Sequence, residues 1–161
     1  MRPPLRDQRY GRSFALVSAM EIAMSLTAKE IMSGDVIAVT PATPLKEFAR
    51  LCAEDNISGA PVVRIDGTLV GVVSRTDLVR RMLEDDTRFG ANEQRSFELD
   101  ERQVADIMNP DVLTVDEDTP VSSIANDMAR QRVHRVIVMD NGRVVGVVTS
   151  LDVLGSYAPA R

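Results

Sequence analysis

Apolar residues along the chain recur at two spacings, and the same order of spacings occurs twice. Runs rich in β-branched residues, VIAV from Val36 and VLTV from Val112, are typical of short strands. Each run is followed by a Thr-Pro pair, which predicts a helix with the threonine as N-cap and the proline as first helical residue. Apolar residues then share one helical face: Leu45, Phe48, Ala49 and Cys52 in the first copy, and Val121, Ile124, Ala125 and Met128 in the second.

Each copy continues with a predicted hairpin and a second helix. The hairpin turns are Asp66-Gly67 and Asn141-Gly142, dipeptides that accept the positive φ which both positions of a two-residue turn require. The second helices are expected to begin after Ser74 and after Thr149. The order strand, helix, strand, strand, helix therefore occurs twice, in units of roughly 50 to 55 residues. One such unit would bury little apolar surface, so we expect an α/β (α+β) fold in which two units share a core.

Composition and pattern divide the chain into five segments. These are an N-terminal extension (1–26), repeat 1 (27–84), a polar linker (85–103), repeat 2 (104–157) and a short tail (158–161).

The extension has two interpretations. Residues 14–26 could form a helix that docks on the repeats, with Leu16, Met20, Ala23 and Met24 on one face. Alternatively, Met20 or Met24 is the natural start. A secretion signal is disfavoured, because Glu21 interrupts the apolar stretch after about eight residues.

Charge and cysteine content limit the function classes. The net charge is −5, and residues 1–12 hold four arginines and one aspartate, which leaves −8 for the remainder. Such a body repels a phosphate backbone, so nucleic-acid binding is not expected. The single cysteine, Cys52, excludes an intramolecular disulfide, lies on an apolar helical face and is interpreted as core packing in a cytoplasmic protein. No apolar run reaches the 18 or so residues of a membrane span.

Two segments carry most of the candidate chemistry: GVVSRTD (71–77) and GVVTSLD (146–152). Each has a hydroxyl residue at a strand-to-helix junction and an aspartate three residues later, the pattern of a capping box. The same geometry suits a nucleotide, because a helix start attracts phosphate and an aspartate accepts hydrogen bonds from ribose hydroxyls. From the residues alone, the capping and binding interpretations both stand.

The duplicated pattern resembles the CBS domain, named for cystathionine beta-synthase, as a tandem pair or Bateman module. The resemblance runs from Ala28 to Leu154 and depends on the KEIM and ADIM openings, the Thr-Pro helix starts and the two GVV motifs. It implies two repeats packed pseudo-symmetrically through their sheets into one disc, with two discs paired in a homodimer.

The resemblance also implies a set of ligand-binding residues. Within the motifs these are Ser74, Arg75 and Asp77 in repeat 1, and Thr149, Ser150 and Asp152 in repeat 2. The basic pair His134-Arg135 is implied to face phosphate, and the alternative is a surface pair at a strand edge. An adenine slot is implied at Val36, Ile37, Ala60 and Pro61, and at Val112, Leu113 and Val136.

Repeat 1 has Ser58-Gly59 in place of the basic pair, and repeat 2 has Ile137 where many members of the family have proline. The two sites are therefore not expected to be equivalent.

The sequence thus predicts a stand-alone regulatory module rather than an enzyme. It would bind AMP, ADP, ATP or S-adenosylmethionine, with or without Mg²⁺, and signal to an effector protein. No obligatory cofactor or metal site is expected. The alternative is a structural dimerisation or scaffold module with degenerate ligand sites. No catalytic set can be assembled without His134, the only histidine.

Overall fold

The computed structural model describes residues 25–88 and 102–158, so the predicted N-terminal helix and most of the linker lie outside the described residues. The elements in chain order are α1 (Ala28–Ile31), α2 (Leu45–Glu54), β1 (Gly59–Val63), β2 (Leu69–Ser74), α3 (Arg75–Arg88), a 3₁₀ turn (Val104–Asp106), β3 (Thr114–Asp116), α4 (Val121–Gln131), β4 (Arg135–Asp140), β5 (Arg143–Thr149) and α5 (Ser150–Ser156). The predicted mixed α/β fold is confirmed.

These elements form two compact units whose membership does not follow the sequence repeats. Among the described residues, the N-terminal unit consists of 35–88, 102–113 and 140–145, and the C-terminal unit consists of 25–34, 114–139 and 146–158. Residues 25–34, the end of the extension and the start of repeat 1, thus belong to the unit built around repeat 2, and this range is called the opening segment of repeat 1 below. Residues 102–113, the end of the linker and the start of repeat 2, belong to the unit built around repeat 1 and are called the opening segment of repeat 2.

The sheet of the N-terminal unit has two strands. β1 and β2 pair antiparallel, with Gly59 opposite Ser74, and the register shifts between Val62 and Val63. The predicted VIAV strand contributes only a parallel bridge from Val39 to Val62. This strand prediction was therefore too long, because a single residue of the run finds a partner on the sheet edge.

The sheet of the C-terminal unit has three strands in the order β3-β4-β5. β3 pairs parallel with β4, and Thr114 lies opposite Ile137. The strand predicted from Val112 forms two residues later, where the backbone lies alongside β4.

The two hairpin turns differ. Asn141 and Gly142 have φ values of 48° and 77°, as predicted for a two-residue turn. In the first hairpin only Gly67 has a positive φ, at 86°. The Asp66 carboxylate there accepts a hydrogen bond from the Thr68 backbone N–H (2.9 Å), which lowers the pKa of Asp66. The first turn is therefore stabilised by a side chain rather than by two left-handed residues.

The predicted apolar helix faces are confirmed. The buried residues are Leu45, Phe48 and Cys52 on α2, and Val121, Ile124 and Met128 on α4. Cys52 belongs to a hydrophobic core cluster of the N-terminal unit together with Val62, Val73 and Val104. Helical spacing alone was sufficient to identify these faces, because only one side of each helix meets its sheet.

The predicted helix starts are wrong by one residue. Pro44 and Pro120 have ψ values of 142° and 138°, so each proline is the N-cap residue and lies outside the helix. The hydroxyl of Thr43 instead accepts the backbone N–H of Thr40 (3.0 Å). Thr119 accepts the backbone N–H of Asp116 in the same way (3.1 Å).

The opening segments supply the hydrogen bonds that the threonines do not. The first amide of α2, at Leu45, donates to the Arg102 carbonyl at 2.9 Å, and that of α4, at Val121, donates to the Leu26 carbonyl at 2.9 Å. An unpaired amide at a buried helix start would be costly, so each opening segment completes the helix of the other repeat.

Among the described residues, no helix is long and apolar enough to cross a membrane. The same residues contain no group of three or more histidine, cysteine, aspartate or glutamate side chains that could hold a metal ion.

Candidate ligand-binding motifs and family membership

The motif of repeat 1 forms a complete capping box at the start of α3. The Asp77 Oδ2 atom accepts hydrogen bonds from the Ser74 backbone N–H (2.9 Å) and from the Ser74 hydroxyl. In return, the Asp77 backbone N–H donates to the Ser74 hydroxyl oxygen at 3.2 Å. The strand-to-helix junction therefore holds this carboxylate in one orientation.

The motif of repeat 2 repeats this arrangement at the start of α5. The Asp152 Oδ2 atom accepts the Thr149 backbone N–H at 2.7 Å and the Thr149 hydroxyl at 2.6 Å. The Asp152 backbone N–H lies 3.4 Å from the Thr149 hydroxyl oxygen. The capping interpretation is thus correct for both motifs, and in each it uses only one oxygen of the carboxylate.

The second oxygen distinguishes the two motifs. The Arg80 guanidinium lies 3.5 Å from Asp77 Oδ1, one turn further along α3. The position equivalent to Arg80 in α5 is Gly155, which has no side chain. Within the part of the chain that the structure describes, no cation forms an ion pair with Asp152. The Oδ1 atom of Asp152 thus has no counterpart of the Arg80 ion pair among the described residues.

Each motif is also tied to the start of the preceding strand. The Ser150 backbone N–H donates to the His134 carbonyl at 3.0 Å, and the Ser150 hydroxyl lies 3.4 Å from the same oxygen. In repeat 1 the Arg75 backbone N–H donates to the Ser58 carbonyl at 3.0 Å. These bonds make Ser58 the structural equivalent of His134, whereas a binding role of the basic pair stays a prediction.

A groove of about 440 Å³ opens between α4 and α5 in the C-terminal unit. Its polar wall is formed by Arg132, His134 and Ser150, and its apolar wall includes Met128, Val133 and Leu154. The structure thus brings two of the predicted ligand-binding residues, His134 and Ser150, to one cavity. Thr149, Asp152 and Arg135 do not line it.

The residues of the implied adenine slot divide by burial. Ala60, Pro61 and Val136 are buried in the described structure, whereas Ile37 and Leu113 are half-buried. Buried side chains of this kind pack the interior of their own units. Val36 and Val112 are half-buried like Ile37 and Leu113, and the slot remains a prediction.

Two methionines that the sequence reasoning did not assign to the site lie directly against the motifs. An ideal Cβ on Gly146 would overlap Met32 Sδ, and one on Gly71 would lie 3.2 Å from Met108 Sδ. Both methionines come from the KEIM and ADIM openings. The signal was present in the sequence as a glycine within each strand and a methionine at the end of each opening.

Backbone bridges fix these contacts. Ser33 exchanges two hydrogen bonds with Val147 (3.0 and 3.1 Å), and Asn109 exchanges two with Val72 (2.9 and 2.8 Å). Each opening segment therefore lies along the strand that leads into a capping box, and the glycines allow this close approach of two backbones.

The duplicated strand–helix unit, with a hydroxyl–aspartate capping box at the start of each second helix, defines a tandem repeat module. The sequence model of the CBS domain matches residues 28–84 and 104–158. The chain belongs to the CBS domain family and carries the domain as a tandem pair.

Among curated relatives, the chain is 35% identical over 121 residues to the uncharacterized protein MJ1232 of Methanocaldococcus jannaschii, a match that covers 74% of this chain and 36% of that one. It is 31% identical over 128 residues to inosine-5'-monophosphate dehydrogenase of the same organism, covering 79% of this chain and 23% of the enzyme. The chain thus spans between just under a quarter and just over a third of the length of these two proteins.

Many solved structures resemble this chain, among them three that contain a bound adenosine compound. The CBS domain pair of MJ0100 in complex with 5'-methylthioadenosine and S-adenosyl-L-methionine has a TM-score of 0.70 and 27% identity, covering 83% of this chain and all of that one. The CBS domain of a bacterial CNNM/CorC family Mg²⁺ transporter in complex with ATP has a TM-score of 0.71 and 25% sequence identity. The match covers 91% of this chain and 96% of that one. CBSX2 in complex with AMP has a TM-score of 0.66 and 26% sequence identity, and the match covers 81% of this chain and 94% of that one.

Proposed function

We propose that the chain is a regulatory sensor module that binds adenosine-containing ligands and signals to a partner protein. The observation that carries the proposal is the duplicated capping box, in which each aspartate keeps one carboxylate oxygen outside the cap. Ribose presents two neighbouring hydroxyls, and a fixed carboxylate is a strong acceptor for them. Similar CBS pairs hold S-adenosylmethionine, methylthioadenosine, ATP and AMP, which supports a ligand of this class.

The residues proposed to bind are those that the family motif assigns. Asp77 and Asp152 would accept the ribose hydroxyls, and Ser74 and Thr149 would lie near phosphate. The other members of the set are Arg75, Ser150, His134, Arg135, Ile37, Ala60, Pro61, Leu113 and Val136. Of these, His134 and Ser150 line one groove, from which Thr149 and Asp152 are absent.

A thermal-shift series with AMP, ADP, ATP, S-adenosylmethionine and NADH, each with and without Mg²⁺, tests the proposal. A ligand present at 100 times its dissociation constant stabilises the folded state by about 2.7 kcal/mol, which raises Tm by roughly 5–10 °C for a chain of this size. We expect such a shift with at least one adenosine ligand.

The scaffold alternative predicts no shift with any of these compounds, in protein freed of carried-over nucleotide. The loss of the basic pair in repeat 1, at Ser58-Gly59, is the observation that favours it. A flat series combined with a fixed oligomeric state would decide for the scaffold.

The proposed partners are a second copy of the chain and an effector protein in the cytoplasm. Exposed apolar residues recur at equivalent positions of the two repeats: Val79 and Leu154, exposed by 51% and 66%, and Met82 and Tyr157, exposed by 46% and 37%. A symmetric dimer buries the same patch on both copies, and helix faces of this kind are suited to it.

Placing lysine at both Val79 and Leu154 is expected to raise the dimer dissociation constant at least about tenfold, because each charge would be desolvated in the interface. Sedimentation velocity over a concentration series measures this. Ile65→Lys is the control, because Ile65 is fully exposed beside the hairpin turn. An unchanged dimer in the double variant would exclude this surface.

A further inference from the structure

The two motifs differ in what surrounds Oδ1, the carboxylate oxygen that lies outside the capping box. In both, Oδ2 already accepts two hydrogen bonds within the capping box. A ribose hydroxyl pair must therefore depend largely on Oδ1. At Asp77 that atom is shared with the Arg80 guanidinium, whereas at Asp152 the equivalent helix position is Gly155.

From this difference we infer that Arg80 makes the repeat 1 site selective for adenosine ligands that carry phosphate, while the repeat 2 site accepts ligands without it. The inference depends on the proposed function and assigns a ligand class to each repeat. It makes Arg80 a specificity-determining residue that lies outside the GVVSRTD motif.

A ligand that binds at Asp77 takes the Arg80 guanidinium away from its carboxylate partner. A ribose that binds Asp77 Oδ1 competes with Arg80, which loses part of its ion pair. A neutral ligand gives nothing back for this loss. A phosphorylated ligand does, because guanidinium binds phosphate oxygens well and in two-point geometry.

Arg80 can make this change of partner. Its side chain is 66% exposed, whereas the Asp77 side chain is 22% exposed and fixed by the cap. An exposed ion pair of this kind costs little to open, so the carboxylate stays in place while the guanidinium moves. In repeat 2 a ligand without phosphate displaces no cation of the described residues, so phosphate gives no corresponding advantage there.

The test measures binding of adenosine and of ATP to the full chain by titration calorimetry. An Asp152→Asn background weakens the repeat 2 site, because the amide keeps a cap acceptor but loses the charge. In this background, Arg80→Ala is expected to tighten adenosine binding by about two- to fivefold, the range that an exposed ion pair allows. The same substitution is expected to weaken ATP binding, so the ATP preference over adenosine falls by about tenfold. Arg80→Lys should restore part of that preference.

Arg130→Ala is the matched control. Arg130 forms an ion pair with Asp127 at 2.7 Å on α4, with the same spacing of three residues and similar exposure, 76%. The Arg130→Ala substitution removes the same charge as Arg80→Ala and should leave the ratio of ATP to adenosine affinity unchanged.

The outcomes separate the inference from the function on which it depends. If the wild-type chain binds neither adenosine nor ATP, the inference fails, and the thermal-shift series with the remaining ligands decides the proposed function separately. If it binds and Arg80→Ala shifts both affinities in the same direction, or neither, the inference is wrong and the binding function stands. A crossover, with adenosine tighter and ATP weaker, supports it.

Discussion

Asp152→Ala is expected to weaken binding of an adenosine ligand to the repeat 2 site by about ten- to a hundredfold. A hydrogen bond to a charged group contributes about 1.5–3 kcal/mol, and each 1.4 kcal/mol changes the dissociation constant tenfold. In the proposed site, the Oδ1 atom of Asp152 lies outside the capping box and is the acceptor that the ribose hydroxyls would lose. Titration calorimetry with the ligand selected by the thermal-shift series measures the change.

The same substitution removes half of a capping box, so its cost to folding must be separated from its cost to binding. Thr149 would lose its carboxylate acceptor, and helix caps contribute about 0.5–2 kcal/mol. Asp152→Asn retains an acceptor for the cap, so it should fold nearly as well as wild type and still bind weakly. If Asp77→Ala and Asp152→Ala both bind with wild-type affinity, the assignment of the site is wrong.

Gly146→Ala is expected to lower the free energy of unfolding by about 1–3 kcal/mol, the usual cost of overpacking. The added Cβ would overlap Met32 Sδ and lie 2.8 Å from Met32 Cγ, well inside contact distance. Without such an overlap, a change from glycine to alanine would be neutral or stabilising, because it restricts the unfolded chain. Denaturant unfolding therefore tests both the size and the sign of the effect.

A double-mutant cycle connects that effect to the opening segment of repeat 1. In a Met32→Ala background the two closest atoms are absent, so Gly146→Ala should cost clearly less than in wild type. Gly155→Ala is the control, because nothing lies within 4 Å of its added Cβ. Strictly additive costs for Gly146→Ala and Met32→Ala would show that the two residues do not pack together in solution.

The sequence alone determined those features that depend on neighbours within one repeat. The duplication, the buried faces of α2 and α4, the Asn141-Gly142 turn and the two capping boxes all involve residues close together in the chain. Helical period, tolerance of positive φ and the reach of an aspartate to a residue three positions earlier are local properties. For the same reason the residue pattern was enough to name the motif aspartates, and the difference between Arg80 and Gly155 follows from aligning the two repeats.

Only the tertiary structure decided which repeat each opening segment completes. The helix amides at Leu45 and Val121 bond to Arg102 and Leu26, partners 57 and 95 residues away in the chain. Met32 likewise packs on Gly146, on a strand of the other repeat. Local sequence rules favoured Thr43 as the N-cap residue. In the structure, the first helical amide, at Leu45, instead donates to the Arg102 carbonyl of a distant segment. No local pattern encodes such a contact, because both repeats offer nearly the same surface and only the folded chain selects between them.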